Sequence, residues 1–449
     1  MTLRPQPHLS AAQTGLGQAV SGGRRLSGTV AVDGSKNGAL PLLAAAAALS
    51  RTVTVTHLPA CRDVTTMTRL LRAAGTRTEP LPGEPGTLRI TPAPDLAGEA
   101  DWALAALIRA SYYLVPALLA CGRAVLPWPG GCSVGERGME LHLAVYEAFG
   151  DTVRTDARGY RITPARSASL TPVEITLPFP SRGATVVALL RALVAGRALL
   201  LRTPNTSPEV TSLVAALGQA GHQVTFQEGQ LSMRPSAATT FTGPVRWQVP
   251  GDKIEAGTLL CALAATGGDG HVTGVDPDHL RPLLNLLTEL GFAPAARGKG
   301  VGLAAPATLS GAPMRAIASL ASLAESDCLD ADFEPPLMAL ALTLPGRHTF
   351  ADEINPGRHA NLLPQLRRLG AVITETSPMT CHLRGPQRLS GAEVVATDIR
   401  TGSALLLAAL TARGTTRIDG LDQVQRGHAD LPGKLRSLGA DITSVASED

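Results

Sequence analysis

One loop of the sequence combines a cysteine and an arginine with several turn-forming residues. It runs from Pro127 to Arg137 and reads PWPGGCSVGER. Its prolines and glycines predict a loop rather than a helix or strand, and Gly-rich loops on a rigid scaffold often close over a site. A cysteine shortly before an arginine can have a lowered pKa, which makes its thiol an acid or a nucleophile. Cys132 is therefore a candidate catalytic residue; the other interpretation is a loop cysteine that only packs.

A second set of polar residues recurs at the starts of six nearly all-apolar segments. Helices that are apolar all round are buried, and a helix N-terminus has free N–H groups and a partial positive charge that favour anions. If the six helices point at one cleft, they predict a site for a small, highly charged anion. The other interpretation is ordinary solvated caps, but the shared register favours a site. The residues are Lys36 and Asn37, Arg109, Ser181 and Arg182, Asp252 and Lys253, Asp332, and Arg400.

The elements that must position these residues form an internal repeat. Six further apolar helices each end in a glycine and are followed by a short strand, about 70 residues apart. Glycine just past a helix is a C-cap signal, because it accepts a left-handed backbone without Cβ strain. Six strand–helix–strand–helix units predict an α/β protein with two lobes of three units each. The glycines are Gly75, Gly150, Gly221, Gly291, Gly370 and Gly439.

Composition excludes several classes of protein. A chain of 449 residues is too long for one ordinary core, and 44% hydrophobic with 17% charged residues is globular. A net charge of +3 is too small to indicate nucleic acid. No apolar run suggests a signal peptide or a membrane span, and six scattered cysteines without a CxxC motif indicate neither zinc nor disulfides. We expect a cytoplasmic protein without metal or cofactor, and a flexible tail over residues 1–25.

Four features together resemble the UDP-N-acetylglucosamine enolpyruvyl transferases. They are the repeat, the SKNGALPLLAA segment from Ser35, the PGGCSVGER loop, and the ATDIR and QRG motifs near the C-terminus. The related 5-enolpyruvylshikimate-3-phosphate synthases share the six-unit fold but lack the PGGC loop. The resemblance spans residues 26–445 and implies a two-lobed inverse α/β barrel. Its first lobe would be residues 38–246, and its second lobe residues 26–37 with 247–449.

The resemblance also implies an activity. An enolpyruvyl group would pass from phosphoenolpyruvate to the 3-hydroxyl of UDP-N-acetylglucosamine with release of phosphate, the first committed step of peptidoglycan synthesis. The partners would be these small molecules, not nucleic acid or a membrane. Arginine suits such anions because its planar fork pairs with carboxylate or phosphate through two hydrogen bonds. The implied binding residues are Lys36, Arg137 and Arg426 for phosphoenolpyruvate, Arg109 in the same basic wall, Asn37 to orient the substrate, Ser181, and Arg358 and Arg400 from the second lobe.

Three residues would carry the chemistry: Cys132, Asp332 and Lys36. Asp332 would take the proton of the attacking sugar hydroxyl, with Asp330 as the competing candidate. Cys132 would be the general acid on a closing lid, donating a proton to the methylene carbon or assisting loss of phosphate. The cationic cleft would stabilise the tetrahedral phospho-ketal, and fosfomycin, which alkylates the equivalent cysteine in this family, would react with Cys132.

The sequence departs from the family pattern mainly on the nucleotide-sugar side. The phosphoenolpyruvate side looks intact. Two alternatives therefore stay open: an enolpyruvyl transferase with a different acceptor, and a non-catalytic paralogue that binds an anion or a partner protein. The departures are Phe179 for a lysine, Arg182 for a small apolar residue, Gly138-Met139-Glu140 for Pro-Val-Asp, Leu329-Asp330-Ala331 before Asp332, and Gln425 and His428 for an aspartate and a tyrosine.

Overall fold

A computed structural model describes residues 17–93, 96–130, 138–165, 171–236, 243–306, 308–318, 328–353, 355 and 357–445. Short strands alternate with helices throughout. The strands are β1 Gly17–Ser21, β2 Ser27–Ala31, β3 Val53–Thr56, β4 Arg77–Pro80, β5 Leu88–Thr91, β6 Ala124–Pro127, β7 Thr152–Thr155, β8 Gly159–Thr163, β9 Val173–Thr176, β10 Leu199–Arg202, β11 Gln223–Gln227, β12 Gln230–Arg234, β13 Val245–Gln248, β14 Asp269–Thr273, β15 Ala295–Ala296, β16 Gly300–Ala304, β17 Arg315–Ala318, β18 Gly346–Asp352, β19 Ile373–Ser377, β20 Thr380–Gly385, β21 Glu393–Val395, β22 Thr415–Asp419 and β23 Asp441–Val445.

The helices fall between these strands. The α-helices are α1 Lys36–Ala48, α2 Arg62–Ala73, α3 Trp102–Ala105, α4 Val115–Leu119, α5 Glu140–Ala148, α6 Arg182–Ala195, α7 Pro208–Gln219, α8 Lys253–Ala265, α9 Arg281–Glu289, α10 Glu334–Ala341, α11 Leu362–Arg368, α12 Ile399–Thr411 and α13 Leu431–Ser437. Short 3-10 helices span Arg109–Leu114, Pro277–Leu280, Ala331–Phe333, Arg358–Ala360 and Leu421–Arg426. No helix in the described parts of the chain is long and apolar enough to cross a membrane.

Within the described residues the strands form six small sheets. Their orders are β13-β3-β5-β4, β6-β8-β7, β11-β12-β10-β9, β15-β16-β14-β2, β17-β18-β20-β19 and β21-β22-β1-β23. All but the second contain one parallel pair of strands, and in the second a parallel bridge joins Glu99 to Val125. Six equivalent sheets confirm the predicted α/β architecture of six repeated units.

The buried helices lie at the centre of each set of three sheets. Helices α1, α4 and α6 pack against one another, as do α8, α10 and α12. Residues 38–47 of α1 and 401–410 of α12 are buried all round, as the apolar pattern predicts. Helices inside and sheets outside make each half an inverse α/β barrel. The six repeat glycines all have φ between 84° and 107°, which confirms them as left-handed C-caps.

Buried apolar side chains form two separate clusters. The first extends from Ala39 to Val249, and the second contains Val20 to Val32 together with Ala256 to Ile442. We call the residues around these clusters the first and second lobes. We count Lys36 and Asn37 with the first lobe, because helix α1, which begins at Lys36, is buried in the first cluster. The predicted flexible tail is wrong for residues 17–23. Strand β1 lies between β22 and β23 and buries Val20 in the second core, and the amides of Gly22 and Gly23 donate to the carbonyls of Gly414 and Leu410. Residues 1–16 lie outside the described part of the chain.

The chain passes between the lobes at two points that lie side by side. Gly34 and Gly251 form an antiparallel bridge, and the amide of Asp252 donates to the carbonyl of Asp33 at 2.9 Å. A Cβ at Gly34 would lie 1.8 Å from the carbonyl oxygen of His57, and one at Gly251 would lie 1.9 Å from that of Gly274. Only glycine fits at either crossing, so the paired connections are closely packed.

Candidate functional site

Several of the predicted site residues lie at the starts of buried helices, and side chains cap four of these helices. The hydroxyls of Ser35 and Ser181 cap α1 and α6. The carboxylates of Asp252 and Asp398 cap α8 and α12 by accepting hydrogen bonds from first-turn amides. An aspartate cap uses the free amides at the helix N-terminus and offsets the partial positive charge there. The expectation of six helix ends open to an anion is therefore wrong for α8 and α12, where basic side chains must supply the positive charge.

One group of charged residues joins the two lobes around Asp63. Lys36 Nζ lies 3.3 Å from Asp63 Oδ2, and Arg426 Nε lies 3.3 Å from Asp63 Oδ1. Arg426 belongs to the second lobe and also donates to the carbonyl of Leu107 at 3.2 Å. Two predicted phosphoenolpyruvate ligands from opposite lobes thus meet on one buried carboxylate. Together the three charged side chains carry one net positive charge.

The neighbouring predicted residues lie along the same border. A second cross-lobe ion pair joins Arg62 to Asp422 at 2.7 Å. Arg109 starts the 3-10 helix after Leu107 and donates to the carbonyl of Gly138 at 2.9 Å. Asn37 is half-buried in the first turn of α1. Cys132 and Arg137 lie outside the described residues, and their roles stay predictions.

A further group surrounds Asp332, which lies in the 3-10 helix before α10. Its Oδ1 accepts a hydrogen bond from Arg400 Nε at 2.8 Å and lies 3.4 Å from Arg358 Nη2. Arg358, only 4% exposed, also pairs with Asp352 at 2.7 Å. Burial would raise the pKa of Asp352, but Arg358 and hydrogen bonds from Asn355 outweigh it and hold that pKa below its usual range. An ionised Asp352 therefore fixes the guanidinium that approaches Asp332.

Asp330 lies two residues before Asp332 but has different partners. Its Oδ2 lies 2.7 Å from Arg182 Nη2 and 2.9 Å from Lys253 Nζ. Burial would raise the pKa of Asp330, but Lys253 and Arg182 outweigh it and hold that pKa well below its usual range. Two of the departures noted in the sequence, Arg182 and Asp330, therefore contact each other.

Sequence comparison with known proteins identifies the family of this chain. The model of the EPSP synthase (3-phosphoshikimate 1-carboxyvinyltransferase) family matches residues 20–435. The chain belongs to this carboxyvinyltransferase family. It is 34% identical over 432 residues to UDP-N-acetylglucosamine 1-carboxyvinyltransferase 1 of Halalkalibacterium halodurans, with 96% of this chain and 94% of the relative covered. It is 36% identical to the protein of the same name from Symbiobacterium thermophilum, with 95% and 94% covered.

Solved structures of carboxyvinyltransferases share the fold. The enolpyruvyl transferase NikO from Streptomyces tendae is 25% identical, with a TM-score of 0.84 over 96% of this chain and 99% of NikO. EPSP synthase from Acinetobacter baumannii is 18% identical, with a TM-score of 0.71 over 95% of this chain and 100% of that one. The predicted enolpyruvyl transferase fold is confirmed.

The described cysteines of this carboxyvinyltransferase differ in their surroundings. Burial raises the pKa of Cys61 to about 11, and those of Cys261 and Cys381 to about 12. These thiols stay protonated at neutral pH and react slowly. Cys121 differs from these three cysteines: α4 ends at Leu119, and Cys121 lies exposed in the turn that follows.

Several charged residues of the site were not identified from the sequence. The structure adds Asp63, Asp352 and Glu209, and each is almost fully buried. Asp63 and Glu209 lie in the first turns of amphipathic helices, where acidic residues are ordinary. Only their burial distinguishes them, and it depends on contacts with the other lobe or with distant segments. Within the described residues, no group of three or more His, Cys, Asp or Glu side chains could hold a metal ion.

Proposed function

We propose that this chain transfers the enolpyruvyl group of phosphoenolpyruvate to the 3-hydroxyl of UDP-N-acetylglucosamine and releases phosphate. The observation that carries the proposal is the meeting of Lys36 and Arg426, from opposite lobes, on the same carboxylate. Such a pair suits a small substrate with two anionic groups, because the substrate can bind both lobes at once. The names of the relatives support the choice of acceptor.

Phosphoenolpyruvate would bind at the border between the lobes. Lys36 and Arg426 would share their charges between Asp63 and the substrate, with Arg109 and Arg137 completing the basic wall. Charge-assisted hydrogen bonds from arginine are roughly twice as strong as neutral ones. The substrate would therefore hold the lobes together as well as lie between them.

The reaction would proceed by addition and then elimination. The sugar oxygen bonds to the central carbon of phosphoenolpyruvate, its proton passes to Asp332, and the methylene carbon gains a proton from Cys132. The resulting phospho-ketal then loses phosphate from the central carbon, and its methyl carbon returns a proton to the Cys132 thiolate, which restores the double bond. Preorganised cations such as Arg400 stabilise the charge that develops in this intermediate.

Asp332 is a better candidate for the base than Asp330. Two close cations, Arg182 and Lys253, hold the pKa of Asp330 low, so that carboxylate accepts a proton poorly. Asp332 also has two cationic neighbours, Arg400 and Arg358, but the charge of Arg358 is shared with Asp352. A substrate anion that shares Arg400 would weaken the other pair and make Asp332 the better proton acceptor of the two carboxylates.

The direct test measures phosphate release from phosphoenolpyruvate with and without UDP-N-acetylglucosamine. We expect release only with both substrates, and a product that is heavier than the acceptor by one enolpyruvyl group. Because a ligand that binds only the folded state stabilises it, the melting temperature should rise with the acceptor. Absence of both effects in a folded protein would contradict the proposal.

A different acceptor is the second candidate. The contact between Arg182 and Asp330 and the Gly138-Met139-Glu140 stretch change the side of the cleft that would hold the nucleotide. The same assay with 3-phosphoshikimate and with uridine nucleotides lacking the sugar distinguishes the candidates. Phosphate release with one of these and not with UDP-N-acetylglucosamine would favour the second candidate. Binding without release in every case would favour a non-catalytic protein.

A further inference from the structure

Four charged side chains form a cluster between the lobes, apart from the Lys36 and Arg426 group; Glu209 and Lys253 are buried, and Arg182 and Asp330 are partly buried. Arg182 and Glu209 come from the first turns of α6 and α7 in the first lobe. Lys253 and Asp330 come from the start of α8 and from the residue before the 3-10 helix Ala331–Phe333 in the second lobe. Across the lobe border, Arg182 lies 2.7 Å from Asp330 and Lys253 lies 3.7 Å from Glu209.

Each lobe contributes one cation and one anion to this cluster, and these also pair within the lobe. Lys253 lies 2.9 Å from Asp330, and Arg182 lies 3.8 Å from Glu209. If the lobes separate, each half keeps a neutral pair and no buried charge is left alone, which would otherwise be strongly destabilising. The cluster can therefore form and break without a large penalty, and its cross-lobe contacts favour the joined arrangement.

The shortest ion pair of Arg182 is the one with Asp330 across the lobe border, and its pair with Glu209 within the lobe is longer. A cation in the first turn of a helix is repelled by the helix dipole, so α6 gains nothing locally from an arginine there. Its partner Asp330 has a second role, since Asp330 Oδ1 accepts a hydrogen bond from the amide of Asp332 at 3.0 Å. The same carboxylate thus binds the first lobe with one oxygen and caps the turn that carries Asp332 with the other.

We propose that Arg182 and Asp330 are positioning residues that couple the approach of the two lobes to the placement of Asp332. This rests on the proposed function, in which Asp332 is the base. When the lobes meet, Arg182 fixes the Asp330 carboxylate, and that carboxylate fixes the turn Ala331–Phe333. The base is then correctly placed only when the cleft is assembled around both substrates.

The kinetic test uses R182M, which removes the charge and keeps the apolar stem, and D330N, which can still cap Asp332. A small displacement of a reacting group can cost up to about a hundredfold in rate, and we expect each variant to lose roughly tenfold in kcat. KM for phosphoenolpyruvate should change less than about twofold, since Lys36 and Arg426 remain. The double variant should be no slower than either single one, because both break the same contact.

Two further variants separate positioning from other roles. R182K keeps a charge without the planar fork and should recover part of kcat. R202M removes an arginine whose exposed pair with Glu174 lies within the first lobe, and its kcat should equal the wild-type value. Additive losses in the double variant would show that Arg182 and Asp330 act independently. A raised KM for the acceptor with unchanged kcat would show that Arg182 binds the acceptor directly, and either result would overturn the proposal.

Small-angle scattering of the substrate-free protein tests the contact independently of turnover. R182M and D330N should each increase the radius of gyration, and R202M should not. An unchanged radius in both variants would overturn the coupling even if kcat falls. If the wild-type protein releases no phosphate with any acceptor, the proposed function and the role of Asp332 fail. Scattering then still decides whether Arg182 and Asp330 join the lobes.

Discussion

Replacing Asp332 by asparagine separates the charge of the proposed base from its shape. The amide oxygen can still accept from Arg400 and Arg358, so the local geometry should survive. Arg358 keeps its pair with Asp352 and is not left buried without a counter-charge. Arg400 loses a charged partner but is partly exposed to water. We expect the free energy of unfolding to fall by only about 1–2 kcal/mol.

The effect on turnover should be much larger than the effect on stability. A positioned general base contributes roughly 10²- to 10⁴-fold to a rate, which corresponds to about 3–5 kcal/mol of activation free energy. D332N should therefore lower kcat for phosphate release at least about a hundredfold. Its dissociation constant for phosphoenolpyruvate should change little, because Lys36 and Arg426 hold that substrate in the proposal.

The assay compares D332N with D330N under saturating substrates, after thermal unfolding has shown that both are folded. The two carboxylates are two residues apart, so the pair is a close control for local disruption. We expect kcat of D330N to fall about tenfold, because this variant changes only the position of Asp332. If D332N keeps most of the activity and D330N loses it, Asp330 is the base and the reasoning from its cationic partners is wrong.

Three further predictions concern binding, reactivity and pH. In K36A or R426A, the binding free energy of phosphoenolpyruvate measured by calorimetry should fall by about 1.5–3 kcal/mol, and that of the sugar nucleotide by less. Equal losses of binding free energy for the two substrates would point to a general loss of lobe contact. Intact-mass spectrometry should show one equivalent of fosfomycin bound to Cys132, and the reaction should be faster when the sugar nucleotide is present. The variant C132D should not be alkylated and should stay active. A main adduct on the exposed Cys121 would refute the role of Cys132. The pKa of Asp330 is lower in the folded state than in the unfolded state. Its ion pairs therefore stabilise the folded protein fully above the unfolded-state pKa of about 3.9, and this stabilisation is lost as the pH falls below that value. The free energy of unfolding should therefore decrease as the pH is lowered below about 4, and it should depend less on pH in D330N. The same pH dependence in both proteins would count against a stabilising role for the ion pairs of Asp330.

The architecture could be predicted because its signals are local and repeated. A glycine C-cap depends on one residue's backbone, and a helix buried all round shows in its own composition, so six repeats of each reinforce the same conclusion. The tail was mispredicted for the opposite reason. The strand Gly17–Ser21 has little apolar character of its own. It is stabilised by pairing with β22 and β23, whose paired residues lie 394 to 428 positions away in the chain.

The candidate site was predicted only in part for a related reason. Lys36 and Arg400 could be selected because a cation at the edge of an apolar segment is conspicuous in sequence, and Arg426 because its QRG motif resembles that of the family. Their anionic partners could not, since an acidic residue in a first helical turn is ordinary until burial makes it unusual. The pairing of Arg182 with Asp330 needed both lobes to be in place.

The acidic partners explain how a cleft with so many cations stays folded before any substrate binds. Uncompensated cations gathered at a lobe border would repel one another and lose hydration. Here Asp63 lies between Lys36 and Arg426, and Asp332 lies between Arg358 and Arg400. A substrate anion must compete with these carboxylates, so part of its binding energy is used to redistribute the cations. If the reacting anion binds these cations most strongly when the phospho-ketal forms, the site stabilises the transition state more than it stabilises the bound substrates. Only such a difference raises kcat.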